Sequence, residues 1–209
     1  MNVVIISVAI LFFLLFLYLL KQSKQPTGLV GIWMMKIWNQ VYFPMVEWAI
    51  SQLEQRNVKN ILDVGIGNGQ STLYLKQYFP NSKVIGIDIS KTAITQAKKW
   101  NIADLNFELK DVGQTTYSAG SFDLITAFQT HFHWPDLSRA FSELRRILRR
   151  DGLILLVCEW SKLTYFQPEL KKEEEFAAFL NNKGLKLVSS QRKNQWILYK
   201  IVKKPEGVI

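Results

Sequence analysis

Residues 3–20, VVIISVAILFFLLFLYLL, form an unbroken apolar run in which only Ser7 and Tyr18 carry a polar side-chain atom. At about 1.5 Å per helical residue the run reaches roughly 27 Å, close to the ~30 Å thickness of a hydrocarbon core. A cleaved secretory signal carries a basic segment ahead of such a run and a small-residue cleavage site behind it. Here only Met1 and Asn2 precede it and KQSKQ follows. The pattern predicts a transmembrane anchor over 1–20, and Lys21 and Lys24 just beyond it orient the remainder of the chain to the cytoplasm.

Residues 21–31, KQSKQPTGLVG, have no apolar period and contain Pro26, Gly28 and Gly31. They read as a linker. Over 32–56 large side chains recur at helical spacing, with Trp33 paired to Ile37 and Met34 to Trp38, as in one helix or two, Pro44 being placed to begin the second. These aromatic-rich helices either pack on the edge of a sheet, or lie at the membrane surface or over a lipophilic substrate as a cap.

From 57 onward the period switches. Strand-like runs at 61–64, 83–88, 106–109, 122–128 and 153–158 alternate with helical runs at 69–79, 90–100 and 136–150. Such alternation predicts a mostly parallel sheet covered on both faces. Two further runs, 185–191 and 195–202, are separated by a short basic turn and predict a closing antiparallel hairpin. The expected fold class is therefore α/β: a Rossmann-like, seven-stranded, mostly parallel sheet with a C-terminal antiparallel hairpin, preceded by one transmembrane helix.

Composition narrows this further. With 209 residues, 48% hydrophobic and 21% charged, the chain has room for one packed domain and excludes a disordered or low-complexity protein. The lone Cys158 excludes an intramolecular disulfide and a thiolate zinc set, and two histidines without a matched acid or thiol make no metal site. A net charge of +9 implies an anionic neighbour. For an anchored protein the membrane leaflet fills that role, so Arg145, Arg146, Arg149, Arg150, Lys203 and Lys204 are not read as a nucleic-acid surface.

Three loops at strand ends carry the candidate chemistry. The first strand runs into Asp63-Val-Gly65-Ile-Gly67-Asn-Gly69, where glycine permits positive φ and close approach of backbone to a ligand. The following helix offers unpaired N–H groups. Asp88 ends the second strand nineteen residues after Gly69, where a nucleotide-binding α/β fold places an acid for ribose hydroxyls. Asp111, after the third strand, is positioned to accept from an adenine amino group while Val112 packs on the ring. Together they point to one adenosine.

These segments, ILDVGIGNG at 61–69, VIGIDIS at 84–90, the acid at 111, FDLITAFQTHFHW at 122–134 and LRRILRRDGLILL at 144–156, resemble the class I S-adenosylmethionine-dependent methyltransferases over roughly 60–202. By that resemblance the cofactor is S-adenosylmethionine. Gly65, Gly67 and Gly69 would approach its methionine end, Asp88 its ribose, and Ile89, Asp111 and Val112 its adenine. Asp63 would order the glycine loop. On the residues alone, Phe128 with Phe132 and Trp134 can surround the sulfonium or a flat apolar acceptor, or serve as ordinary core. The glycine spacing differs from the G-x-G-x-x-G turn of a nicotinamide-dependent oxidoreductase, the competing enzyme class. A non-catalytic, cofactor-binding membrane scaffold is the competing reading outside the enzymes.

The loop after the fourth strand reads Gln129-Thr-His131-Phe132-His133-Trp134-Pro135 and lacks the Asn/Asp-Pro-Pro-Tyr form that resembles base-directed amino methyltransferases. It is similar to small-molecule methyltransferases, including branches that act on lipids and quinone rings. The expected acceptor is a small, lipophilic or membrane-associated molecule. If the loop is extended, His131 and His133 point the same way and either can serve as general base. Phe132 and Trp134 would line the acceptor pocket.

Overall fold

A computed structural model describes residues 2–53, 57–100 and 102–205. Its elements run α1 (Asn2–Lys24), α2 (Gly28–Ser51), β1 (Asn60–Val64), α3 (Gln70–Tyr78), β2 (Lys83–Asp88), α4 (Lys91–Ala97), β3 (Leu105–Leu109), β4 (Phe122–Phe128), α5 (Leu137–Ile147), β5 (Leu148–Glu159), α6 (Trp160–Phe166), α7 (Glu173–Asn182), β6 (Leu185–Lys193) and β7 (Trp196–Lys203). The seven strands form one sheet in the order β3-β2-β1-β4-β5-β7-β6. The first five strands in that order are mutually parallel, and β7 lies antiparallel to both β5 and β6. The closing hairpin predicted from the sequence is present, and its second strand is the one inserted next to β5.

Alternation along each strand feeds two cores, one on each face of the sheet. In β5, Leu153, Leu155 and Val157 pack with α2, α3 and α4, whereas Ile154, Leu156 and Cys158 pack with α5 and α7. Phe141 of α5 and Phe176 of α7 meet edge to face at 6.0 Å between centroids. The periodic apolar stripe of α5 explains its burial: Ala140, Phe141, Leu144 and Ile147 are each fully buried. Asp136 caps that helix by accepting from Arg139 N.

The N-terminal segment departs from the sequence expectation in two ways. Of the one or two helices expected over 32–56, the described part holds one: α2 is continuous through Pro44 and is not divided there, and residues 54–56 lie outside the described residues. Met45, Val46, Ala49 and Ile50, immediately after the proline, are buried against the sheet, and that packing outweighs the lost backbone hydrogen bond. Nor is 21–31 a linker. α1 continues to Lys24 and α2 starts at Gly28, leaving an elbow at 25–27.

The elbow is held by one buried amide. Gln22 Nε2 donates to Tyr18 Oη at 3.0 Å and to Thr27 Oγ1 at 2.8 Å, while Thr27 N donates to Gln22 Oε1 at 2.8 Å. It is also docked on the sheet end, because Ser90 Oγ donates to Pro26 O and Gln25 Nε2 donates to Ile89 O. Residues 3–19 of α1 are exposed, and among the described residues Val3–Lys24 is the one stretch long and apolar enough to cross a membrane.

Candidate active site

β1 and β4 are adjacent at the centre of the sheet although β2 and β3 lie between them in sequence. In open parallel sheets, ligands bind beyond the carboxyl ends of the strands at such a reversal. A cavity of about 150 Å³ opens there, walled by Gly65, Gly67, Asp88, Phe128, Gln129, Phe132 and His133, and covered by Met35, Trp38, Asn39 and Tyr42 of α2, Ser23 and Lys24 of α1, and Pro26 of the elbow.

The three loop glycines have three different reasons to be glycine. All have positive φ. At Gly65 a Cβ would lie 2.7 Å from Thr130 Cβ, so the residue permits contact between the β1 and β4 loops. At Gly69, the N-cap of α3, a Cβ would strike Ala97 and Phe107 at 2.8 and 2.9 Å. Gly69 serves helix packing and does not line the cavity. At Gly67, which lines the cavity, a Cβ would make only an ordinary contact, with Met35 Sδ the nearest atom at 3.8 Å.

Asp88 is buried at 9% exposure and lines the cavity. Its Oδ2 accepts from Gly67 N at 3.0 Å and its Oδ1 from Ser90 N at 2.8 Å. Burial raises its pKa, with the backbone N–H groups opposing the shift. Asp63 lies one layer deeper. Its carboxylate accepts from Ser71 Oγ, Thr72 Oγ1 and Thr126 Oγ1 at 2.7, 2.9 and 2.7 Å, tying α3 and β4 to β1. Desolvation lifts its pKa to about 6 against those hydroxyls.

Asp111 and Val112 sit at the same sheet end, because β3 pairs Leu109 with Asp88 and Lys110 N donates to Asp88 O at 3.1 Å. They do not line the cavity. Asp111 Oδ1 accepts from Gly113 N at 2.8 Å, Val112 is buried in the core, and Ile89 stands 40% exposed outside it.

Residues 62–156 match the family model described as a methyltransferase domain. The chain is 30% identical over 102 residues to trans-aconitate 2-methyltransferase of Deinococcus radiodurans, covering 49% of this chain and 38% of that one. It is 29% identical over 109 residues to the chloroplastic tocopherol O-methyltransferase of Arabidopsis thaliana, covering 50% and 31%. A SAM-dependent methyltransferase from Aquifex aeolicus shares the fold at a TM-score of 0.63 and 16% identity, over 75% of this chain and 88% of that one. Residues 62–156 are a class I methyltransferase domain. This chain spans 40%, 51% and 35% of the length of the first three curated relatives it matches.

The cofactor of this class, S-adenosylmethionine, fits the methyltransferase domain at Gly67 and Asp88. Gly67 lines the cavity where a side chain would protrude, and the Asp88 carboxylate keeps acceptor capacity beyond the backbone N–H groups of Gly67, Ile89 and Ser90.

The β4 loop is not extended, which corrects the expectation that its two histidines share one direction. His131–His133 form a 3₁₀ turn. His131 is buried at 1% exposure, with Nε2 3.8 Å from Cys158 Sγ, and lies outside the cavity. Burial lowers its pKa to about 3. Only His133 faces the cavity. Its pKa falls to about 4, first through burial and then through the positive charges of Lys24 and Lys162. Phe132 lines the cavity beside it, stacked on Phe166 at 5.5 Å. Trp134 packs on Phe141 at 5.8 Å and belongs to the core rather than to the pocket wall.

Several wall residues carry no local sequence signal. Asn39 Nδ2 donates to Asn68 Oδ1 and ties α2 to the glycine loop. Gln129, in the left-handed region at φ 58°, accepts from Glu159 N at 2.8 Å and donates to Glu159 Oε2 at 3.0 Å. Tyr42 Oη donates to the same carboxylate at 3.1 Å, and its pKa is pushed to about 12, chiefly by burial.

A second, apolar groove of about 560 Å³ adjoins the cavity. Phe16, Leu19 and Leu20 of α1, Met34 and Trp38 of α2, and Tyr165 and Phe166 of α6 line it. Ser23, Trp38, His133 and Lys162 belong to both spaces.

Proposed function

We propose that the protein transfers the methyl group of S-adenosylmethionine to a small lipophilic acceptor delivered from a membrane. The observation that carries the acceptor class is the groove: a mostly apolar path leads from the last turns of α1 to His133, with Ser23, Ser161 and Lys162 the polar residues beside it. α1 acts as a single-pass anchor with the domain on the cytoplasmic side. The tail of an acceptor lies against Phe16, Leu19 and Leu20 while its reacting end reaches the cavity. The two relatives named above take different acceptors by name, tocopherol and trans-aconitate. The lipophilic assignment therefore rests on the groove.

In this reading Asp88 accepts from the ribose hydroxyls, Gly67 lets the backbone close on the methionine end, and Ile89 with Asp111 flanks the adenine. Phe128 and Phe132 exclude water from the reacting atoms. The cofactor supplies an electrophilic methyl on sulfur, and transfer needs the acceptor atom about 3–3.5 Å from that carbon and in line with the leaving sulfur. α2 and the elbow supply that alignment by closing over the cavity. His133 is the general base; as a neutral imidazole at pH 7 it can take a proton.

The test uses the full chain in detergent micelles. Calorimetric titration is expected to give S-adenosylmethionine binding that Asp88→Ala weakens and no binding of NADH. Labelled methyl groups are then expected in the lipid or quinone fraction of membrane extracts. Cofactor binding without turnover on any extract would support a non-catalytic scaffold. Label in water-soluble metabolites or RNA alone would overturn the lipophilic assignment.

A further inference from the structure

Where the cavity meets the groove, two lysines distant in sequence converge on one imidazole. Lys24 is the last residue of α1 and Lys162 lies in α6, and both line the cavity with His133. Their ammonium groups are positioned by aromatic faces rather than by carboxylates. Lys162 Nζ lies 5.0 Å from the Trp38 ring centroid and 5.5 Å from that of Tyr42, and Lys24 Nζ lies 5.8 Å from that of Phe166. Phe166 also packs edge-on against His133 at 4.8 Å. Ring faces attract a cation weakly without cancelling its charge.

The other ionisable groups around the junction are engaged elsewhere. Glu159 is held by Tyr42 and Gln129, Asp88 accepts from the backbone of Gly67 and Ser90, and His131 is sealed in the core. The junction therefore presents an exposed Lys24 and a half-buried Lys162 beside a neutral base at the mouth of an apolar groove. Two cations on one side of such a mouth favour an anion there.

Resting on the methyl-transfer reading above, we infer that the acceptor's reacting end is an acidic hydroxyl, a phenol or an enol, whose oxyanion is held between Lys24 and Lys162. An amine would carry a third positive charge into the junction and be repelled. An aliphatic alcohol is too weak an acid to be ionised by two ammonium groups. A phenol or enol lies in the range where nearby opposite charge favours the anion. His133 takes the hydroxyl proton, and the oxygen forms its bond to the methyl carbon as the carbon–sulfur bond breaks. The electron pair of that bond goes to sulfur, leaving a methyl ether, a neutral thioether and a proton on His133. The two lysines disfavour the imidazolium, so that proton passes to water.

The test reads the acidity of a bound probe directly. A nitrophenol bearing a twelve-carbon tail is titrated by absorbance in micelles with and without the full-length protein. Its pKa is expected to fall on binding by about one unit or more. Lys162→Met and Lys24→Met are each expected to remove half or more of that shift while S-adenosylmethionine affinity, measured by calorimetry on the same samples, stays unchanged. In turnover, the acidic limb of kcat/KM for the phenol is expected to move to higher pH in Lys162→Met.

A bound probe whose pKa is unchanged or raised overturns the inference, as does a shift that survives both substitutions. Cofactor binding accompanied by methylation of an alkylamine or alkanol of the same tail, with the phenol refused, overturns this inference and leaves the methyl-transfer reading standing. Absence of cofactor binding by folded protein overturns that reading, and this inference with it.

Discussion

Thr130 occupies the space in which a side chain at Gly65 would sit. A Cβ on Gly65 would lie 2.7 Å from Thr130 Cβ, with the threonine hydroxyl closer still. The loops after β1 and β4 are thus fitted to one another across the reversal in strand order, and the cavity inherits its shape from that contact. Gly65 also sits at φ 74°, which disfavours any other residue.

Gly65→Ala is therefore expected to destabilise the fold by about 2 kcal/mol or more, from backbone strain and clash together. Adding Thr130→Ala should recover part of the loss, with a coupling of about 0.5–3 kcal/mol in a double-mutant cycle read by chemical denaturation. Strict additivity of the two substitutions would contradict the contact.

Asp88 organises the glycine loop and presents its remaining lone pairs to the cavity. Asp88→Asn replaces one acceptor oxygen with a donor. Cofactor affinity measured by calorimetry is expected to fall about tenfold to a hundredfold, equivalent to the ~1.5–3 kcal/mol of a hydrogen bond to a charged group. Val112→Ala, in the core beside the site, should lower stability more than affinity.

The two histidines should separate cleanly by assay. His133→Ala is expected to lower kcat by about a hundredfold or more with little change in cofactor affinity. His131→Ala should instead lower thermal stability, since it empties space between Cys158, Phe132 and Trp134. Equal loss of turnover and cofactor affinity in His133→Ala would mean that its ring only shapes the cavity.

Buried His131 and Asp63 make opposite contributions to stability against pH. His131 titrates near 3 in the fold against an ordinary 6.5, so the unfolded chain binds more protons between those values. Its contribution is complete above about 6.5 and is lost as pH falls towards 3. Asp63, raised to about 6 from 3.8, binds its proton more tightly in the fold, so its contribution is complete below about 3.8 and declines as pH rises to 6. Denaturation from pH 4 to 7 should show Asp63→Asn gaining relative to the native chain as pH rises. A parallel pair of curves would count against this account.

The elbow offers a test of whether α1 matters to the reaction. Gln22→Ala removes three hydrogen bonds that fix the path from α1 to α2. Turnover of a lipophilic acceptor is expected to fall severalfold with little change in S-adenosylmethionine affinity, because the groove depends on the elbow while Asp88 and Gly67 are held by the sheet. Unchanged turnover would detach the groove from the reaction.

The strands were legible because each obeys a local rule. A run such as KVIGID is apolar on both faces and ends in an acid, and its bounds at 83–88 coincide with β2. The glycine turn and Asp88 were legible as a pair because a parallel βα unit fixes their spacing. Local pattern was enough for the sheet, its two covered faces, the hairpin and the end of the sheet where the cavity opens. It misassigned Pro44 as a boundary and 21–31 as a linker, because local propensity counts a lost hydrogen bond but not the burial of Met45, Val46 and Ile50 beyond it. Tertiary structure alone decided that His133 and not His131 faces the cavity, since a 3₁₀ turn replaces the period of two with one near three. It alone brought Lys24 and Lys162 to one imidazole, 138 positions apart in the chain. No pattern in a sequence can encode that meeting, because it is set by how an elbow docks on the end of a sheet.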